Sequence, residues 1–321
     1  MTDGTTLVTG ASGFAGAHLL DLLRQTASPD TTSIEAWSRP GGPSPSGTSD
    51  VRWRSIELLN ANAVRRAISE SQPAQVFHLA GAAHIGASWG RSTEHLETHV
   101  LGTHHLLEAI RAHAPNCRVL VVSSGMIYRA QAQPVNEDSP LGPASPYGLS
   151  KLAEDQLALH AAQQDGLDIV VARPFNHIGP RQSPDFAASS FARQIAAIEA
   201  GATPATIAVG NLETTRDLTD VRDVVAAYVA LMTAGRRATA YNVCGGHPVR
   251  MRDLLTRLLA LSSVRVTLDQ DASRLRPNDL LFLAGDASRL RTDTGWVPRF
   301  TLEQTLADLL TYWRQMLARA S

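Results

Sequence analysis

The stretch TTLVTGASGFAG, residues 5–16, decides the fold of this chain. Residues 5–10 form a short apolar run typical of a buried strand, and Gly10, Gly13 and Gly16 follow it where a helical pattern begins. Glycines at this spacing permit a tight turn and let backbone N–H groups approach a pyrophosphate at the helix N-terminus. Because a strand precedes the glycines and a helix follows them, the stretch predicts a dinucleotide-binding βαβ unit.

Outward from this stretch, short apolar runs alternate with helical patterns through the first half of the chain. Strands are predicted at 5–10, 33–38, 51–58, 75–81, 118–124 and 168–174, and helices at 18–25, 62–70, 94–113 and 146–164. Alternation with nearly continuous apolar strands indicates a parallel sheet that is covered by helices on both faces. The predicted fold class is therefore α/β, a Rossmann-type doubly wound parallel sheet.

The alternation ends near residue 175. Helices are predicted over 186–201, 251–262 and 301–318, with short strands at 206–210 and 240–245 between them. We interpret this half as a smaller mixed α/β substrate domain whose crevice with the first domain holds a ligand. The expected division is a cofactor domain of residues 1–174, to which a segment of about 215–245 returns, and a second domain mainly of residues 175–321.

Bulk composition limits the classes of function. The 321 residues are 44% hydrophobic and carry a formal net charge of -1, so bulk electrostatic binding to nucleic acid or to anionic lipid is not expected. No apolar run approaches the roughly 18 residues needed to span a membrane. The two isolated cysteines, Cys117 and Cys244, suit a reducing compartment. We therefore expect a cytoplasmic protein, and no pattern of residues calls for a metal.

The end of the second strand bears on the choice of dinucleotide. An acidic residue at this tip hydrogen-bonds the ribose 2′-hydroxyl of NADH, whereas basic and small residues accommodate the 2′-phosphate of NADPH. The tip reads Trp37, Ser38, Arg39, and Glu35 lies inside the strand. Because Arg39 can pair with a phosphate and Ser38 can hydrogen-bond it, NADPH is favoured over NADH. The alternative is that Arg39 stacks on adenine and serves either cofactor.

A second stretch, SPYGLSK at 145–151, places Tyr147 and Lys151 four residues apart, which is about one turn on the same helix face. One interpretation is a solvated helix start, with Ser145 as its cap and Pro146 in the first turn. The other is a phenol whose pKa, about 10 when free, is lowered by the ammonium so that it moves protons near neutrality. Ser124, at the end of the fifth strand, would lie at the same edge of the sheet.

Taken together, the glycine motif, the strand-end serine and the YxxxK pattern resemble the extended branch of the short-chain dehydrogenase/reductase family over essentially the whole chain. The resemblance implies that Tyr147 is the general acid/base, that Lys151 lowers its pKa and holds the nicotinamide ribose, and that Ser124 hydrogen-bonds the reacting oxygen. The cofactor-binding residues that it implies are Gly10, Gly13, Phe14, Gly16, Ser38, Arg39, Glu57, Leu58, Ala80, Tyr147 and Lys151.

The second half is similar to sugar-nucleotide members of this family, and most of all to the GDP-mannose group of dehydratases and reductases. The segments that carry this similarity are 173–182, 209–225, 274–286 and 294–306. By this match the nucleotide sugar is held by residues among His84, Asn176, Arg193, Arg216, Arg276 and Asp279. Three alternatives stay open: Arg216 pairs only with Asp217, His84 is a satisfied cleft histidine, and Arg193 is simply exposed.

One position in the sequence distinguishes a dehydratase from a reductase in this group. Dehydratases of the group carry a glutamate two residues before the tyrosine of the strand-end segment, and here that place is Met126. A thioether cannot exchange protons. The expected reaction is therefore NADPH-dependent reduction of the C4 ketone of a GDP-linked 4-keto-6-deoxy sugar. A dehydratase, a nucleotide-sugar 4-epimerase and a non-catalytic protein that binds the same ligands are the alternatives.

Two histidines in the helix at 94–113 raise a further possibility. His95 and His99 are four residues apart, a spacing that can ligate zinc, but no third ligand suggests itself. Surface histidines or a helix–helix interface is the favoured interpretation. By analogy with the family, the helices 94–113 and 147–164 are also expected to form a homodimer through a four-helix bundle.

Overall fold

The computed structural model describes residues 4–26, 32–42, 50–82, 89–275 and 280–319. In chain order the strands are β1 (Gly4–Thr9), β2 (Thr32–Ser38), β3 (Val51–Ser55), β4 (Gln75–His78), β5 (Arg118–Val122), β6 (Asp168–Pro174), β7 (Asn176–Ile178), β8 (Thr206–Val209), β9 (Thr215–Asp220), β10 (Thr239–Val243), β11 (Pro248–Arg250), β12 (Thr267–Gln270) and β13 (Phe282–Leu283). The helices are α1 (Phe14–Thr26), α2 (Ala61–Ser71), α3 (Ser92–Leu96), α4 (Gly102–His113), α5 (Pro146–Gln164), α6 (Ala187–Glu199), α7 (Val221–Ala234), α8 (Met251–Ala260), α9 (Ser288–Thr294) and α10 (Leu302–Ala318).

Seven strands form the main sheet in the order β3-β2-β1-β4-β5-β6-β10. Every neighbouring pair in this sheet is parallel. The chain runs outward from β1 to β3 and then crosses back to β4, so the direction of winding reverses between β1 and β4. This confirms the predicted doubly wound sheet, and such a reversal point is where sheets of this kind bind ligands.

Alternation along the strands explains why both faces of the sheet are covered. In β1, Leu7 packs with α2 and α4, whereas Val8 packs with α1 and α7 on the opposite face. In β5, Val121 likewise packs on the side of α2 and α4, and Leu120 packs on the side of α1 and α7. Successive side chains of a strand point to opposite faces, so strands that are buried on both sides must be apolar throughout.

The remaining elements build a third apolar cluster, formed by α6, α8 and α10 with β8. Beside it, β9 pairs with β7, β11 and β13 in a small sheet, and β8 pairs with β12. Between these elements the chain returns to the main sheet, because β10 pairs with β6 and α7 packs against α1. The exact limits of the two predicted domains stay a prediction.

Three features of the helices differ from the sequence patterns, and the first is the short helix α9, which the patterns do not predict. The patterns do not predict α7, since its apolar residues contact the sheet, α1 and α9 and so are not confined to one stripe. The predicted helix 94–113 is divided into α3 and α4 by a π-helical turn, Glu97–Leu101. Single π-helical turns of this kind are frequent at functional sites.

Both cysteines, Cys117 and Cys244, are buried and free, as expected. Within the ranges given above, no helix has the length and apolar character needed to cross a bilayer.

Candidate active site

The glycine stretch forms a close turn between β1 and α1. Gly10 has φ 66°, and a Cβ at Gly10 would lie 2.7 Å from the Ala80 nitrogen at the end of β4. A Cβ at Gly16 would lie 2.2 Å from the Gly10 oxygen. Only glycine allows this backbone and these approaches. The turn leaves the N-terminus of α1, which begins at Phe14, as a fitting cradle for a pyrophosphate.

The tip of β2 has the composition that favours a 2′-phosphate. Ser38 is buried at the end of the strand and Arg39 is exposed beyond it. Glu35 is buried within the strand, where it accepts a hydrogen bond from Trp37 Nε1 at 2.7 Å. Its carboxylate also lies 3.7 Å from Arg54. Glu35 is therefore held inside the fold and does not reach the tip.

Three further predicted cofactor residues follow β3 and β4. Glu57 is exposed and accepts a hydrogen bond from the Leu59 nitrogen at 3.2 Å. Leu58 is buried against α4, and its carbonyl accepts a hydrogen bond from His105 Nδ1 at 2.9 Å. Ala80 donates its N–H to Thr9 Oγ1 at 3.2 Å. All three lie at the carboxyl end of the sheet, and their contacts with a cofactor stay a prediction.

Tyr147 lies in the first turn of α5. Ser145 caps this helix by accepting a hydrogen bond from the Gly148 nitrogen at 3.1 Å, and Pro146 occupies the first turn. The capped helix start is therefore present, with its first residues partly exposed, whereas Lys151 one turn later is only 6% exposed. The cap therefore does not exclude the second interpretation, in which Tyr147 moves protons, and that role stays a prediction.

Ser124 lies just beyond β5 and caps a short 3₁₀ helix, Gly125–Ile127. Its Oγ accepts a hydrogen bond from the Met126 nitrogen at 3.1 Å. Lys151 Nζ donates to the Val122 carbonyl at 2.9 Å, which attaches α5 to the end of the same strand. Tyr147 and Lys151 share one helix face beside the end of β5, just before Ser124. The catalytic roles of the three residues stay predictions.

His95 and His99 lie against Tyr147, so the prediction of surface histidines is wrong and that of a helix–helix contact is right. Both are buried, and their rings meet the Tyr147 ring edge-on at centroid distances of 5.9 and 5.7 Å. His99 Nδ1 is 2.8 Å from Ser150 Oγ. Burial, reinforced by the Lys151 charge, holds the pKa of His99 far below its usual value, so the ring is neutral. Within the described ranges, no three His, Cys, Asp or Glu side chains are grouped to hold a metal.

The second half of the chain meets the cofactor turn at the N-terminus of α1. The His177 ring stacks on Phe14 with centroids 5.7 Å apart and planes inclined by 9°. His18 Nε2 donates a hydrogen bond to the Pro180 carbonyl at 2.9 Å. Residues 177–180 are thus fixed over the helix that begins the phosphate cradle, which brings the β7 segment next to the candidate cofactor site.

The described substrate-site candidates lie on three elements. Asn176 begins β7 and pairs with Leu218 of β9, the strand that also carries Arg216. Arg193 is exposed on α6, with its guanidinium over the Trp313 ring at 6.0 Å. Their contacts with a nucleotide sugar stay predictions. The other candidates, His84, Arg276 and Asp279, lie outside the described residues.

The alternative in which Arg216 serves only as the ion-pair partner of Asp217 is disfavoured. Adjacent residues of a strand point to opposite faces. The Asp217 carboxylate instead accepts hydrogen bonds from the backbone nitrogens of Gly245 and Gly246, at 3.0 and 2.9 Å. Asp217 thus fastens the loop after β10, and Arg216 belongs to the opposite face.

The sequence analysis missed one residue beside the candidate active site. Glu154 is fully buried, and its carboxylate lies 2.6 Å from Lys151 Nζ. The signal was available, because residues three apart on a helix are neighbours and the sequence reads KLAE at 151–154. Thr103, which donates a hydrogen bond to Glu154, and His78, which is bonded to Thr103, come from distant parts of the chain and could not be found in this way.

Comparison with known proteins gives the chain its relatives. A family described as GDP-mannose 4,6 dehydratase matches residues 7–309. GDP-6-deoxy-D-mannose reductase of Pseudomonas aeruginosa is 34% identical over 309 residues, which cover 95% of this chain and 96% of that protein. UDP-glucose 4-epimerase of Mycolicibacterium smegmatis is 30% identical over 316 residues, covering 96% and 98%. Among solved structures, RMD from Pseudomonas aeruginosa complexed with NADPH has a TM-score of 0.85 and 32% identity, covering 98% of this chain and 99% of that one.

Proposed function

The chain belongs to the GDP-mannose 4,6-dehydratase family of short-chain dehydrogenases/reductases, and from this premise we propose that it reduces GDP-4-keto-6-deoxy-D-mannose at C4. The proposed cofactor is NADPH and the product is a GDP-6-deoxyhexose, GDP-D-rhamnose. The family match confirms the predicted enzyme class, an NAD(P)H-dependent oxidoreductase. The substrate is the proposal, and it is supported by the name of the reductase relative and by the side chains that surround Tyr147.

The observation that carries the proposal is Met126, because the family also contains dehydratases. Met126 lies half-buried in the 3₁₀ helix after β5, where the resemblance places the glutamate of a dehydratase. Its thioether can neither take the C5 proton nor give a proton to the leaving hydroxyl. The nearby carboxylate of Glu154 is buried and bound to Lys151, so it does not replace the missing acid.

Carbonyl reduction needs only a hydride, a proton donor and a hydrogen bond to the oxygen. NADPH, when bound, supplies the hydride to C4. Tyr147 donates its phenolic proton to the C4 oxygen, and Lys151 stabilises the phenolate that remains. Ser124 Oγ accepts from the Met126 nitrogen and therefore keeps its own O–H free to donate to the ketone oxygen. The C=O bond becomes CH–OH, with one hydride and one proton consumed.

The choice of NADPH rests on the tip of β2. Ser38 and Arg39 stand where a 2′-phosphate is bound in folds of this type, and the one acid of the strand, Glu35, is held inside. The glycine turn fits the pyrophosphate, since a Cβ at Gly16 would occupy the backbone's own space. The relative that was solved with NADPH supports the same choice. NADH with Arg39 stacked on adenine is the competing possibility.

NADPH consumption at 340 nm with GDP-4-keto-6-deoxy-D-mannose tests the proposal, with NADH and a dTDP-linked 4-keto-6-deoxy sugar run in parallel. We expect rapid loss of absorbance only with the GDP sugar and NADPH, followed by identification of the C4 configuration by NMR. No consumption with any pair, although both ligands bind, would overturn the proposal. Release of tightly bound NAD from the purified protein would instead indicate an epimerase.

Assembly and location complete the proposal. We propose a homodimer through helices 94–113 and 147–164, which is supported by the exposed side chains of Leu96, Leu101 and Leu149 on those segments. A groove of about 140 Å³ between α4 and α5, lined in part by Leu107 and Leu157, has room for a side chain from a facing helix. We also propose a cytoplasmic location, which the two free cysteines favour.

A further inference from the structure

Met126 is the one residue of the segment 123–128 that is not buried. Its neighbours are closed off from solvent, with Ser124 7% exposed and Ile127 0% exposed. The Met126 side chain itself is half-buried and packs in part against the apolar core on the α1 and α7 side of the main sheet. The turn after β5 therefore leaves a single thioether partly open at the carboxyl end of the sheet.

The backbone of Met126 lies between the two groups that are proposed to bind the ketone oxygen. Its N–H donates to Ser124 Oγ at 3.1 Å. On its other side, a Cβ added to Gly148 would lie 2.6 Å from the Met126 carbonyl oxygen, so the first turn of α5 is in close contact with this residue. Gly148 directly follows Tyr147. Met126 is thus held between Ser124 and the turn that carries Tyr147, beside the place where both would meet the substrate.

The structure of the sugar limits what Met126 can contact there. In the proposed complex Ser124 and Tyr147 hydrogen-bond the C4 oxygen, and the substituents nearest to that oxygen are the C3 hydroxyl and the C6 methyl group on C5. A thioether donates no hydrogen bond and is a weak acceptor, so it is a poor partner for a hydroxyl. It packs well against apolar groups. The C6 methyl is the one apolar substituent of a 4-keto-6-deoxy sugar.

We propose that Met126 contacts the C6 methyl group of the substrate and makes the site selective for sugars that lack a C6 hydroxyl. A hydroxyl placed against this side chain would lose its hydrogen bonds to water and gain none that replace them. The inference rests on the proposed function and deepens it, because it names a side chain that recognises the 6-deoxy character of the substrate.

Calorimetry with two GDP sugars that differ only at C6 tests this contact. GDP-D-rhamnose, the proposed product, lacks the C6 hydroxyl of GDP-D-mannose and has the same configuration at every other carbon. Saturating NADPH is present throughout, and neither sugar has a ketone that it could reduce, so the experiment measures binding alone. We expect the wild-type protein to bind GDP-D-rhamnose about tenfold more tightly than GDP-D-mannose.

Two substitutions of Met126 separate its polarity from its size. Met126→Gln has a similar length and adds an amide that can hydrogen-bond a C6 hydroxyl, so the preference for GDP-D-rhamnose should be lost. Met126→Leu remains apolar and should keep the preference, even where both affinities change. Met316→Gln alters an exposed methionine of α10 and is the matched control, with both Kd values expected to equal those of the wild type.

Equal affinity of the wild type for the two sugars would overturn the inference, and so would a preference that survives in Met126→Gln. Binding of neither sugar would overturn the proposed GDP-linked substrate and the role of Met126 together. Because calorimetry needs no turnover, a protein that distinguishes the two sugars but consumes no NADPH with the ketone would contradict only the proposed reduction. The two failures are therefore distinguishable.

Discussion

At the scale of single residues, Tyr147 should separate turnover from binding. Tyr147→Phe removes the proton donor and leaves the ring that packs against His95 and His99. We expect kcat for reduction to fall by about 10²- to 10⁴-fold, while the Kd for GDP, measured by calorimetry, changes little. Tyr312→Phe, on α10, is the matched control and should keep wild-type turnover. Near wild-type kcat in Tyr147→Phe would exclude it as the proton donor.

His78 should make the stability of the fold depend on pH in the acid range. Its pKa is about 3 in the folded protein, against 6.5 for an ordinary histidine, because the ring is buried. The unfolded chain therefore binds a proton that the folded chain does not. The stabilisation is complete above about pH 6.5 and is lost as the pH falls toward 3, by about 1.4 kcal/mol per pH unit.

Urea unfolding at pH 7.0 and 5.5 checks this expectation for His78→Gln. The variant should be less stable than the wild type at pH 7.0, since it disrupts the bonds to Thr9 and Thr103, and the difference should shrink by about 1.3 kcal/mol at pH 5.5. His247→Gln changes an exposed histidine and should leave the slope unaltered. A difference that is independent of pH would mean that the pKa of His78 is the same in the folded and the unfolded chain.

At the scale of elements, the close turn before α1 can be tested with a single methyl group. In Gly16→Ala the new Cβ would lie 2.2 Å from the Gly10 oxygen, so α1 must move away from the turn. We expect a loss of about 1–3 kcal/mol in the free energy of unfolding without cofactor, and weaker NADPH binding. Gly13→Ala, whose Cβ would be 3.1 Å from the same oxygen, should cost less. Equal stability of the two variants would contradict this account of the turn.

The attachment of α5 to β6 depends on a buried ion pair. Arg173 binds Asp155 through two hydrogen bonds of 2.9 Å, and both side chains are almost fully buried. Asp155→Asn leaves the guanidinium charge without its partner, which should cost about 3–5 kcal/mol in unfolding experiments. Glu108→Gln, in an exposed pair on α4, should cost less than about 1 kcal/mol. Similar losses of unfolding free energy in both variants would show that the buried ion pair contributes no more to stability than the exposed one.

The elements themselves were largely predictable, since each depends on local patterns. The glycine turn and the strands buried on both faces are visible in short windows of sequence, and they fixed the doubly wound sheet. The helix α7 was not visible, because it is covered on several sides and lacks a single apolar stripe. The π-helical turn at 97–101 was not visible either, since nothing in the local pattern distinguishes it from an α-helix.

At the scale of the whole molecule, the site was predictable only in part. Tyr147, Lys151 and Ser124 could be singled out because of their spacing and position, and the structure places them on neighbouring elements. The buried hydrogen bonds behind Lys151 were not found, because Thr9, His78, Thr103 and Glu154 come from four elements that meet only in the folded protein. Burial affects the protonation of the two titratable members, His78 and Glu154. The extent of burial cannot be predicted from a short segment of sequence. Tertiary packing therefore supplied the buried partners that lie behind Lys151.

The assembly of two chains is the last property that the fold should determine. Leu96, Leu101 and Leu149 are 41%, 47% and 54% exposed on neighbouring helical segments beside the candidate active site. Apolar side chains of this size favour burial against a second copy.

Light scattering of the protein peak that elutes from a size-exclusion column should therefore give about twice the chain mass of 34.4 kDa. Leu101→Asp combined with Leu149→Asp should give the single-chain mass, because two carboxylates would be buried unpaired in the interface. Leu281→Asp changes a 66% exposed leucine next to β13 and should leave the dimer intact. A wild-type protein that elutes as one chain would refute the dimer, and a double variant that still pairs would place its interface on another surface.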